Sequence, residues 1–159
     1  MGTGYFLVKY LHILSSTMLL GLGLGSAFFL FTAYRRGHNA LRGTANHVVI
    51  ADWIVLVPAI IVQLVTGLWL TLELNIPFTS AWFVSVLGLF FITGLCWLPM
   101  AWIQFELSHT PEAAPQQGLY PRDRRLMRIW SVLCVLGFVL LLILAWLMVA
   151  KPGIAMRWF

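Results

Sequence analysis

"LMRIWSVLCVLGFVLLLILAWLMVA", residues 126–150, carries no charged side chain from Ile129 to its end. A helix needs roughly 20 such residues to cross the hydrocarbon layer of a bilayer. Three more blocks of similar character lie at about 5–34, 48–72 and 81–107. Of all 159 residues, 61% are hydrophobic and only 9% charged, whereas a soluble domain carries about 25% charged residues. The pattern predicts an all-α fold: one domain over residues 1–159, an integral membrane, antiparallel four-helix transmembrane bundle with its helices at those four blocks.

The net charge of +5 is decided by placement. Arg35, Arg36 and Arg42 fall in the first connection, "RRGHNALRGTANH" (35–47). Arg122, Arg124, Arg125 and Arg128 fall at the end of the third, "SHTPEAAPQQGLYPRDRR" (108–125), and just beyond it. Lys9, Lys151 and Arg157 lie at the opposite helix ends. Basic residues gathered on alternate connections follow the positive-inside rule. That distribution argues against nucleic acid as a partner and for the lipid bilayer, whose anionic head groups attract such clusters. It predicts cytoplasmic arginine-rich connections and both termini outside. The aromatic residues give matching belts: Tyr5, Tyr10, Trp69, Trp82 and Trp158 on one side, Tyr34, Trp53, Trp102 and Trp130 on the other. Trp97 and Trp146 fall deeper and read as packing residues.

The first block is too long for a signal-peptide core and lacks a basic leader and a small-residue cleavage site, so it reads as a retained helix. "KPG" (151–153) marks the end of the fourth. Cys96 and Cys134 lie inside apolar blocks, with neither CxxC nor CxxCH around them. They read as small buried thiols.

"GLGLGS" (21–26) is no nucleotide loop, because it lies within a span and has Ser26 where the third glycine would stand. Gly21 and Gly25 form a small-xxx-small pair suited to close approach of another helix. Gly23 lies eleven residues after His12, about 20° away in helical projection. His12, Ser16, Gly23 and Ser26 thus make a small, partly polar stripe, expected to face protein, a cofactor or a wet cavity.

An ionisable side chain inside a span is a functional-site hypothesis by default. His12 admits two readings. One is a neutral imidazole bonded to a backbone carbonyl or a serine such as Ser16. The other is a metal ligand, the axial residue of a b-type haem, or a proton relay. His38, His47 and His109 belong to the arginine-rich side. The 23 residues from His12 to Arg35 rise about 35 Å, whereas two imidazoles on one iron stand about 4 Å apart, each with a bond near 2 Å. A bis-histidine haem within one chain is therefore excluded. A homodimer pairing two His12 rings, a five-coordinate iron, or a weaker partner such as Met148 remain.

His47, Asp52 and Arg124, Arg125 and Arg128 form a candidate surface for an anionic head group, a quinone oxygen or haem propionates, against the plainer reading of solvated ion pairs. Gln63 and Thr66 lie within helix 2, and Pro58 is expected to kink that helix and free a carbonyl. Glu73 has Lys9 or Lys151 as prospective partners. Copper would need soft ligands to converge. Met18, Met100 and Met148 are scattered, and only Cys96 and Cys134 offer a thiolate pair.

"GLCWLPMAWIQ" (94–104), "LAWLMVAKP" (144–152) and "KYLHIL" (9–14) resemble the DUF2269 family of small, predicted bacterial integral membrane proteins. More distantly, "YLHIL" (10–14), "VPAIIVQLVTGLWL" (57–70) and "VAKP" (149–152) look like HemJ, the membrane protoporphyrinogen oxidase, and the CopD-like copper-resistance proteins. The HemJ likeness implies haem b at the helix-1 histidine, here His12. HemJ-like chains also place a lysine in a Trp-x-x-x-Lys setting in helix 3. Here "WFVSV" (82–86) has Val86 at that position, which weakens protoporphyrinogen oxidation but leaves the fold and the haem standing.

The resemblance implies a multi-pass protein of the bacterial inner membrane. The expected function is a membrane redox protein, a haem-dependent oxidoreductase exchanging electrons with quinone or a porphyrinogen-like substrate. The alternatives are a non-enzymatic accessory subunit docking a partner helix on Gly21 and Gly25, and copper or small-molecule transport.

Overall fold

The computed structural model describes residues 2–111 and 118–150. They form four long helices: α1 (Thr3–Arg36), α2 (His38–Glu73), α3 (Ala81–Ser108) and α4 (Pro121–Ala150), each long and apolar enough to cross a membrane. The "KPG" stop, Trp158 and Lys151 lie outside the described residues.

Helix limits follow local chemistry. Ser80 caps α3, its hydroxyl accepting the Phe83 N–H at 3.3 Å. Pro121 opens α4, where a missing N–H costs nothing. After α2, Asn75 takes a left-handed φ of 51°. The Asn75 N–H then donates to Leu72 O and the Ile76 N–H to Thr71 O, the paired bonds of a Schellman turn. The chain thereby turns between the blocks expected at 48–72 and 81–107.

The first connection differs from expectation. Residues 38–47 are helix, and only Gly37, at φ 108°, separates α1 from α2. Leu41, Ala45 and Val48 are buried at helical spacing, while Asn39, Asn46 and His47 point outward. A polar stretch loses apolar signal without losing helical periodicity. The 36 residues of α2 span about 54 Å, so its start extends well past a hydrocarbon core of about 30 Å.

Pro58 is accommodated by a π-turn over Asp52–Leu56 rather than by ending the helix. The Val57 N–H reaches back to Asp52 O, and such a turn absorbs the contact and lost bond that proline brings.

Side-chain pairings fix the helix directions. His12 meets Thr66, whereas Leu30 packs with Leu41, so α1 and α2 run oppositely. Trp82 bonds to Leu147 O at 2.9 Å, and Ile103 packs with Leu126, giving α3 and α4 the same relation. At the arginine-rich end one cluster joins all four helices: Leu30, Leu41, Ile103, Leu107, Met127 and Trp130. Towards the other end the clusters divide. Leu19, Leu56 and Ala59 serve α1 and α2, and Trp82, Phe83, Val86 and Leu144 serve α3 and α4.

The surface is apolar along the spans, as with Phe6, Phe28, Val65, Leu95 and Val149. Three belt assignments and one packing assignment change: Tyr5 is buried. Trp82 and Trp130 are core residues whose indole N–H groups bond inside the protein, and Trp146 is 62% exposed. Helix depth alone does not say which way a side chain faces.

Candidate functional site

The polar residues of α1 and α2 meet between the two helices. His12 Nδ1 lies 2.9 Å from Thr66 Oγ1, and His12 Nε2 lies 3.1 Å from the Gln63 side-chain nitrogen. The Thr66 hydroxyl donates to Val62 O, so it accepts from His12 Nδ1–H. The lone pair of the neutral imidazole is then on Nε2, where the Gln63 amide donates to it.

Gln63 Oε1 lies 2.5 Å from Ser15 Oγ and 3.1 Å from Ser16 Oγ. Both serines also approach the His12 carbonyl, at 3.0 and 2.9 Å. Two hydroxyl protons face two acceptors, so both acceptors can be supplied. Gly67 makes room for the ring: a Cβ there would stand 3.1 Å from His12 Cε1.

His12 and Ser16 thus share a site. Ser26 is buried away from these partners, and Gly23 has open space where a Cβ would go. Ser15, 3% exposed, was absent from the sequence stripe, because helical projection favoured Ser16. Gln63 and Thr66, three apart on α2, are legible in the sequence as polar residues, but their depth relative to His12 is set by how α1 and α2 pack. Gly21 and Gly25 likewise have nothing within 4 Å of an added Cβ, so none of the described residues makes the expected close approach there.

The arginine-rich end is organised by another histidine than expected. His47 is exposed and bonds within its own helix to Gly43 O at 2.7 Å. His38 is buried instead, with Nδ1 3.3 Å from Asp123 Oδ2 and Nε2 2.8 Å from Pro111 O. The Tyr120 ring meets it edge-on, 5.0 Å between centroids. On the surface nearby Arg122 pairs with Glu106. At the opposite end Lys9 lies over the Tyr5 ring and forms no ion pair with Glu73.

A second polar group is centred on Asp52, 6% exposed. With its amide oriented by its neighbours, Gln104 donates to Asp52 Oδ2 at 2.9 Å and accepts from Trp130 Nε1 at 3.2 Å. Trp97 lines the same cleft as this carboxylate. Among the described residues no three of His, Cys, Asp and Glu converge on a point where they could hold a metal. Cys96 and Cys134 are free and half-buried.

A family model described as "Predicted integral membrane protein (DUF2269)" matches residues 6–152. No curated protein and no solved structure matches the chain.

Proposed function

The chain belongs to the DUF2269 family of predicted integral membrane proteins, and from that premise we propose that it is a membrane redox protein centred on His12. The supporting observation is the pair of hydrogen bonds at the His12 ring. Thr66 holds the proton at Nδ1, which leaves Nε2 as the basic nitrogen, the arrangement that orients an imidazole towards a metal. A b-type haem fits this donor chemistry on one condition: the Gln63 amide, which now occupies the Nε2 lone pair, has to withdraw. Ser15 and Ser16 hold the other end of that amide and would retain Gln63 as it turned. A haem at this position supplies one-electron exchange, with a membrane quinone as the electron partner. The arginine distribution supports insertion in a bacterial inner membrane with both termini outside.

The test is an absorption spectrum of protein purified after expression with ample haem, oxidised and reduced. The expected result is a Soret band that is lost in His12→Ala and kept in His47→Ala. Colourless wild-type protein, or equal loss in both variants, overturns the reading.

A second reading has its own observation: both ring nitrogens of His12 are already satisfied. In that reading the network fastens α1 to α2 in a non-enzymatic subunit, and Gly21 and Gly25 receive a partner helix. Colourless protein that co-purifies with a stoichiometric partner in mild detergent, and melts lower as His12→Ala, selects it.

A further inference from the structure

We infer that the cleft between α2 and α3 around Asp52 is a binding site for a membrane-partitioning organic cation. The cavity has a volume of about 220 Å³ and is walled by Trp53 from α2 and by Trp97, Trp102 and Phe105 from α3, with Asp52 and Gln104 as its polar residues. Drug-sized ligands occupy roughly 300–1,000 Å³, so this space suits a small ammonium group carrying an apolar substituent.

Charge determines the class of ligand. Asp52 is nine-tenths buried, and among the described residues no cation pairs with it. Its hydrogen-bonding neighbour Gln104 is a neutral donor. A carboxylate taken out of water is costly unless a positive charge compensates it. Aromatic faces add to the attraction for a cation, and indole is the strongest of them. Trp130 orients Gln104, whose amide holds one carboxylate oxygen in a fixed direction, and Asp52 itself stands at the first residue of the π-turn, a local geometry common at binding sites.

Position supports access from the bilayer. Counting a hydrocarbon thickness of about 30 Å back from Glu73 at 1.5 Å per residue reaches the level of Trp53. Trp53 and Trp102 are both more than half exposed. The cleft therefore opens sideways near the head groups, where amphiphilic cations concentrate. The inference is independent of any haem at His12.

The probes are benzyltrimethylammonium and its uncharged isostere neopentylbenzene, titrated against the full chain in an uncharged maltoside detergent and followed by tryptophan fluorescence. The expected result is a saturable response to the cation alone. Asp52→Asn, which keeps an oxygen for Gln104, is expected to weaken it at least tenfold. Trp53→Leu, a change at an exposed position, is expected to weaken it with little change in melting temperature. That variant keeps the test decisive if Asp52→Asn folds poorly. Equal responses to the two probes, or wild-type affinity in both variants, overturn the inference and leave an apolar seat for lipid.

Discussion

At the scale of residues, His12 was recognisable because an ionisable ring inside an apolar block is conspicuous. Its surroundings were less legible. A periodic pattern assigns residues to a face of their own helix, but it carries no information about which residue of another helix lies at the same depth. Ser16 was therefore seen and Ser15 missed, while Gln63 and Thr66 stood apart from the ring they bind. Gly67 is the clearest case, since its role exists only through the His12 ring packed on it. Gly67→Ala brings a methyl to 3.1 Å from His12 Cε1. The helix cannot yield freely there, and a loss of about 1–3 kcal/mol is expected. Gly23→Ala, with open space around the new methyl, is expected to leave stability unchanged or slightly raised. Denaturant titration of the two variants in detergent, followed by circular dichroism, checks the contrast.

Among the elements, α2 departs furthest from its sequence pattern. Its apolar part announces a span beginning near residue 48, while its polar start carries the composition of a connection. Leu41, Ala45 and Val48 nevertheless have the spacing of a buried stripe, which becomes meaningful once α1, α3 and α4 supply a surface for it. His38 then secures the start of α2 to the start of α4 through Asp123. Asp123 is 1% exposed, and its other oxygen, Oδ1, has no hydrogen-bond partner among the described residues. Removing the imidazole would leave a buried carboxylate without its ring partner, a situation that costs about 3–5 kcal/mol. His38→Ala is accordingly expected to destabilise by that order, and His47→Ala, at an exposed ring, by less than 1 kcal/mol. Unfolding titrations of both variants under identical conditions measure the difference.

For the whole molecule, orientation is a question of charge and packing a question of geometry. If both arginine-rich connections face the cytoplasm, Asn75 lies outside and Gly118 inside. In a background with Cys96 and Cys134 replaced by serine, Asn75→Cys should react with a membrane-impermeant maleimide in spheroplasts, and Gly118→Cys only after lysis. The reverse pattern would invert the topology. Four spans, their basic and aromatic flanks and a lone histidine at one end followed from the order of residues, because hydrophobic length and charge placement are properties of the chain itself. Tertiary structure decided the rest. It paired His12 with Gln63, buried Asp52 against Gln104 and Asp123 against His38, and turned Trp82 and Trp130 into the core. Each of these depends on the depth and rotation of one helix relative to another, which only packing sets.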